Sequence, residues 1–128
     1  MRLLLDTHAF IWWDGEPNRL SARVRTLCAD PANELFFSVA SAWEMQIKMQ
    51  LGKLALRMPL QYVIERQVQD GLRVLDVSLP HIFELQHLPP HHGDPFDRMI
   101  VAQALAHDLT LVSSDRNIRK YGVRIFSG

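Results

Sequence analysis

The carboxylate of Asp97 stands where a charge is costly, and it directs attention to the other acids of the chain. Asp94-Pro95 reads as a helix N-cap followed by proline at the first helical position. On the helix that follows, Ile100, Val101 and Ala104 succeed Asp97 at i+3, i+4 and i+7, so the acid heads the apolar face. No Lys or Arg shares that stripe. Burying an unpaired carboxylate there costs at least several kcal/mol unless it shifts its pKa, pairs, or meets a metal.

Three further acids each come after an apolar run. Asp6 closes Leu3-Leu4-Leu5, Glu44 comes shortly after Leu35-Phe36-Phe37-Ser38-Val39, and Asp115 follows Leu109-Thr110-Leu111-Val112. If these runs are strands of one parallel sheet, their carboxyl ends share the edge at which open α/β folds bind ligands. Each acid also has an ordinary structural explanation. Asp6 can cap a helix beginning at Thr7, and Asp115 can cap the turn after it. Glu44 can complete a Ser41-x-x-Glu44 capping box or pair with Lys48 at i+4, and Asp97 suits the positive end of its own helix dipole. All four explanations nevertheless gather the acids at helix N-termini along a single sheet edge. Two carboxylates about 4 Å apart repel by about 4 kcal/mol at an effective dielectric of about 20, so the cluster requires protons or cations. Hard oxygen donors, with no Cys and no obligatory His, select Mg²⁺ or Mn²⁺ over zinc. Such an ion polarises a phosphoryl oxygen and lowers the pKa of an attacking water. The chemistry favoured is phosphodiester hydrolysis, with Asp6, Glu44, Asp97 and Asp115 as the catalytic and metal-ligating set.

The elements that must position these residues follow from the chain in order. The apolar run ending at Asp6 suits a strand buried on both faces. Thr7 to Trp13 read as a helix broken by Gly15-Glu16-Pro17, and Ser21 caps a second helix with Val24, Leu27 and Cys28 on one side. Leu35 to Val39 form the second strand. A helix from about Ala40 to Leu51 presents Trp43, Ile47 and Leu51 as a stripe and stops at Gly52. Leu54 to Met58 is ambiguous. Pro59 opens a helix with Leu60, Val63, Ile64 and Val68 inward, ending near Gly71. Leu72 to Val77 is a strand, Pro80 to Leu88 a short helix and Pro89 to Gly93 a loop. The Asp97 helix runs to about His107, Thr110 to Ser113 is a strand, Asp115 to Tyr121 a helical turn, and Val123 to Phe126 a last strand. Strands alternating with helices predict a three-layer α/β/α sandwich on a five-stranded, mainly parallel sheet. The order 3-2-1-4-5 sets Asp6 beside Asp115.

Composition bounds the function. A chain of 128 residues is expected to make one domain spanning 1–128, and 48% hydrophobic with 22% charged residues is ordinary globular composition. No apolar run reaches the roughly 20 residues of a bilayer span, so no membrane partner is expected. The single Cys28 cannot form an internal disulfide and fits a cytoplasmic location. With 14 basic and 14 acidic residues there is no global positive field, so any contact with nucleic acid must be local.

Five blocks together resemble a known family: Leu5-Asp6-Thr7-His8, Ser38-x-x-Ser41-x-Trp43-Glu44, Lys48-x-x-Leu51-Gly52-Lys53-Leu54, the segment from Asp94-Pro95-Phe96-Asp97-Arg98 to Ala104, and Leu111-Val112-Ser113-Ser114-Asp115. In order and over nearly the whole chain they are similar to PIN-domain ribonucleases, particularly the VapC-type toxins of bacterial type II toxin-antitoxin pairs. The resemblance implies a PIN-like fold and a metal-dependent endoribonuclease acting on tRNA or other structured RNA. Its catalytic acids fall on Asp6, Glu44, Asp97 and Asp115. It further implies a homodimer and a cognate antitoxin whose tail occupies the site. Ser113 or Ser114 must do the positioning often done by Thr in the family.

Weaker candidates surround this set. Thr7, Ser113 and Ser114 can orient ligands or substrate, and Asp94, explained by its capping role, is near enough to hold an ion or a water. Arg98 and Arg116, with Arg119 and Lys120, lie next to catalytic positions and can hold phosphates, although a solvated charged face explains each alone. His91-His92 suggests a transition-metal pair, but no third ligand at helical spacing supports it, which favours a solvated loop. His8 can face substrate or point away, and one of Trp12 and Trp13 should face inward. Two other function classes compete. A phosphorylation-controlled receiver domain needs adjacent acids after the first strand, where this chain has Thr7, and a Lys at a late strand end; a haloacid-dehalogenase-like phosphatase needs Asp-x-Asp, where position 8 is His. A degenerate PIN-fold binding module is opposed by the presence of all four acids.

Overall fold

The computed structural model describes residues 1–127. Its centre is β1 (Arg2–Leu5), an apolar strand with parallel neighbours on both sides: β2 (Glu34–Ser38), which sets Leu4 opposite Phe36, and β4 (Thr110–Val112), which sets Leu4 opposite Leu111. β3 (Arg73–Leu75) extends the sheet beyond β2 and β5 (Ile125–Phe126) beyond β4, giving the order β3-β2-β1-β4-β5 with every pairing parallel. This is the order expected from the sequence.

Alternation along β1 divides the core. Leu3 and Leu5 join a cluster with Phe10 of α1 (Thr7–Gly15), Val24 and Cys28 of α2 (Ala22–Ala29), Met45 of α3 (Val39–Gln50) and Val63 of α4 (Leu60–Gln69). Leu4 points the other way, into Ile100, Val101 and Ala104 of α6 (Pro95–His107), with Leu109, Leu111, Ile118 and Val123. Successive strand side chains face opposite sides, so one short strand anchors both helical layers. The short α5 (Leu79–Glu84) packs on α6. Within the first cluster the rings of Phe10 and Phe37 stack with centroids 4.0 Å apart. No helix among the described residues is long and apolar enough to cross a membrane.

Several boundaries differ from the sequence reading, each for a local reason. The strand expected over Leu72 to Val77 keeps only Arg73–Leu75: the Leu72 N–H is taken by the Gln67 carbonyl at the end of α4, and the Asp76 carbonyl accepts from Gln103 of α6. The helix expected over Pro80 to Leu88 is α5 followed by a tighter 3₁₀ turn at Leu85–His87. Asp115 to Tyr121 is helical only over Ile118–Tyr121, and the last strand is only Ile125–Phe126. Helix α3 begins one residue early because the Ser38 hydroxyl accepts from the Ala40 N–H. Its Trp43, Ile47, Leu51 stripe lies on the outer side, with Trp43 64% exposed, while Ala40, Ser41, Glu44 and Met45 are buried. The helix is turned so that its acid, not its aromatic, meets the sheet edge. Val68, expected inward on α4, is likewise exposed. Trp12 and Trp13 are both half-buried against the first cluster, where the sequence required only one to face inward. Leu54 to Met58, ambiguous in sequence, contains no helix or strand.

The unequal burial of two aromatics gives a stability test. Phe37→Ala should destabilise the chain by about 3–5 kcal/mol in urea unfolding, whereas Trp43→Ala should cost about 1 kcal/mol or less, chiefly its edge contact with Phe96.

Candidate active site

All three central strands deliver an acid to the same edge through the turn that follows them. Asp6 is the N-cap of α1 and accepts from the Ala9 N–H at 2.7 Å. Glu44 sits one and a half turns into α3, Asp97 in the first turn of α6, and Asp115 just past β4. Asp94 caps α6, with its carboxylate accepting from the Phe96 and Asp97 N–H groups at 2.8 and 3.1 Å.

Each acid is compensated differently. Glu44, buried, accepts from the Thr7 hydroxyl at 2.6 Å and pairs with the Lys48 ammonium at 2.8 Å. The Ser41 hydroxyl lies 3.0 Å from that of Thr7, so Ser41 reaches Glu44 through Thr7 and forms no capping box with it; Ser38 caps the helix instead. Burial pushes the Asp6 carboxyl up, against the pull of its bonds from Ser113 and the Ala9 N–H. Burial also acts to raise Asp115, but His92 and the N–H groups of Asn117 and Ile118 outweigh it and hold this carboxyl below its usual range. Asp97 is raised as well. Burial, then the charges of Asp94, Glu44 and Asp6, push it up to about 7, with only His92 opposing.

His92 is the residue the sequence reading set aside. Its Nε2 lies 2.9 Å from Asp115 Oδ2 and 3.1 Å from Asp97 Oδ2, while its Nδ1 accepts the Asp94 N–H at 3.0 Å. The Nδ1 lone pair is thereby engaged, so the proton sits on Nε2 and is directed at the two carboxylates. Two influences on the ring oppose each other. Burial disfavours the imidazolium, yet the bond to Asp115 and the charges of Asp97, Asp115 and Asp94 raise its pKa overall, while protonation at Nδ1 would forfeit the Asp94 bond. His91, by contrast, is exposed with its ring against Tyr121. A histidine two residues before an N-cap Asp, able to reach that residue's own N–H, was the available signal.

The remaining candidates divide clearly. Thr7 and Ser113 are buried at the cluster, and the Ser113 hydroxyl also accepts from the Asp115 N–H at 3.1 Å. Ser114 and Arg116 are exposed. Arg98 does not reach toward the acids: its guanidinium donates to the carbonyls of Pro89, Leu85 and Leu88 and to the Tyr121 hydroxyl, pinning the loop that carries His92. His8 is exposed beside Trp12.

Three atoms, one each from His92, Asp97 and Asp115, lie within 4.8 Å of one another. Carboxylates of which one is pushed up to about 7, by burial first and then by its acidic neighbours, are a donor set that favours a hard divalent cation. Asp97, Asp115 and Asp6 could hold it, with Glu44 beside them, tied to the Thr7 hydroxyl and the Lys48 ammonium.

Comparison with known proteins agrees with this geometry. The PIN domain family model matches residues 3–123. Ribonuclease VapC22 of Mycobacterium tuberculosis is 30% identical over 120 residues, covering 93% of this chain and 91% of that protein. Among solved structures, a chain of VapBC2 from Rickettsia felis, bound to a DNA fragment from its promoter, superposes with a TM-score of 0.73 at 17% identity over 98% of both chains. A chain of the DNA-bound VapBC from Salmonella typhimurium gives 0.73 at 19% identity, covering 98% of this chain and 97% of that one. FitAcB from Neisseria gonorrhoeae gives 0.65 at 20%, covering 98% and 96%. With its sheet order, its convergent acids and a family match over nearly its entire length, the chain belongs to the PIN-domain family and is a relative of the VapC ribonucleases.

Proposed function

We propose that the chain is a Mg²⁺- or Mn²⁺-dependent endoribonuclease that hydrolyses phosphodiester bonds of tRNA or other structured RNA, acting as the toxin of a toxin-antitoxin pair. The observation that carries this reading is the convergence of Asp97 and Asp115 with Asp6 and Glu44 at one sheet edge, with Asp97 left titrating near 7. The relative named as a ribonuclease and the toxin-antitoxin complexes of like fold support it.

Asp6, Asp97 and Asp115 would hold the ion, which supplies positive charge for the phosphoryl oxygens and a water of lowered pKa. Asp97 would give up its proton on serving as a ligand. Thr7 and Lys48 fix Glu44 from two sides, so its carboxylate borders the cluster in one orientation. Ser113 orients Asp6 while its oxygen secures the turn into Asp115. Ser114, Arg116 and Asp94 are kept as contacts to substrate or water at the rim; Arg98 acts through the loop it pins. A cognate antitoxin would silence the enzyme by covering this edge, and the working form is a homodimer in the cytoplasm.

Purified chain should cut structured RNA with Mg²⁺ and stop on chelation, and Asp6→Asn or Asp97→Asn should lower the rate by about a hundredfold or more while leaving the circular dichroism unchanged. Full cleavage by either variant would overturn the assignment. Expression of the wild-type chain alone should arrest growth, whereas Asp97→Asn should not.

The raised Asp97 carboxyl fixes a pH dependence. Its folded value near 7 exceeds that of the unfolded chain, so between about pH 4 and 7 the folded state holds an extra proton and this group's contribution to stability falls as pH rises. In chelator, Asp97→Asn should therefore raise the melting temperature more at pH 8 than at pH 5. Calorimetry should likewise show Mn²⁺ binding tightening as pH rises through about 7, with proton release.

A further inference from the structure

We propose that His92 is a displaceable donor that holds Asp97 and Asp115 in register and must yield its place when a divalent ion binds across them; this rests on the metal-dependent reading above. The Nε2–H is shared between Asp115 Oδ2 at 2.9 Å and Asp97 Oδ2 at 3.1 Å, so the ring proton lies in the gap between the two oxygens best placed to hold an ion. An ion about 2.1 Å from those oxygens and an N–H aimed at the same oxygens exclude each other, sterically and by charge. Nor can the ring simply become a ligand where it stands. A ligating Nε2 needs its lone pair, which moves the proton to Nδ1, and Nδ1 would then face the Asp94 N–H, donor against donor at 3.0 Å.

The ring is braced from outside the acid cluster. The His92 N–H donates to the Tyr121 hydroxyl at 2.8 Å, and Arg98 donates to the same hydroxyl at 3.1 Å while gripping the carbonyls of Leu85, Leu88 and Pro89. The loop over residues 89–93 is thus fixed at both ends, by α6 and by the 3₁₀ turn at Ile118–Tyr121. His92 is a positioning residue: it keeps two mutually repelling carboxylates oriented, at the expense of competing with the cation they bind.

Mn²⁺ binding to the chelator-stripped chain, read by electron paramagnetic resonance and calorimetry, tests this without reference to RNA cleavage. His92→Ala should bind Mn²⁺ about tenfold more tightly than wild type, the equivalent of one hydrogen bond to a charged group, and should melt lower in chelator with the difference closing at saturating Mn²⁺. Tyr121→Phe, which frees the loop but keeps the ring, should tighten binding in the same direction by less. In ring ¹⁵N spectra His92 should show a protonated Nε2 and a bare Nδ1 in chelator, and Mg²⁺ should shift its resonances while leaving those of His81, which bonds to His107, in place. Weaker binding by His92→Ala would make the ring a ligand, and unchanged binding would make it a bystander; either overturns the proposal. If neither wild type nor variant binds Mn²⁺, the metal-dependent reading itself fails and takes this one with it.

Discussion

Burial of carboxylates that also repel one another is the constraint around which this site is built. Asp6, Glu44, Asp97 and Asp115 meet at one edge, and hydrophobic burial of the strands behind them drives them there. The compensation is graded. Glu44 has an ammonium and a hydroxyl, Asp115 a histidine and backbone N–H groups, and Asp6 a helix N-terminus and a serine. Asp97 has the dipole of α6 and a shared imidazole N–H, and it remains the acid whose proton leaves only near neutrality. The electrostatic deficit therefore falls on Asp97 and Asp6, whose carboxyls both stand above their usual range.

The fold sets that deficit by simple means. Leu3, Leu4 and Leu5 alternate between the two helical layers, so four residues of β1 fix the register of β2, β4 and both cores. Because every pairing is parallel, all the strand ends that matter point one way, and each succeeding turn starts at the same edge. Exposed faces differ: α3 presents Trp43 outward while its inner side buries Ala40 and Met45 in the core and carries Glu44, bonded to Thr7.

Much of this was legible in the sequence. Continuous apolar runs marked the central strands, Asp94-Pro95 marked α6, and the placement of the four acids at run ends foretold their meeting. What escaped the sequence lay where periodicity is silent. His92 belongs to a proline-rich loop with no repeat, and its role depends on Asp94 and Tyr121, one close in sequence and one remote. Arg98, beside an acid in the chain, turns away to carbonyls that only the folded loop brings near. Trp43, Ile47 and Leu51 have helical spacing, but a stripe does not say which side meets the sheet. β3 was overextended because β-rich composition does not reveal which N–H and C=O groups neighbouring helices will take.

The Tyr121 hydroxyl, which receives the His92 and Arg98 donors, makes the segment after β4 a structural member of the candidate site. Asp6 leaves the ribosome well before Asp115 and Tyr121, and β1 lacks its second neighbour until β4 arrives. A nascent or prematurely terminated product therefore carries the early acids without the carboxylate, the bracing phenol or the sheet partner that complete the constellation. Synthesis and competence are joined by topology, so that no chain stopping short of Tyr121 can assemble the full set.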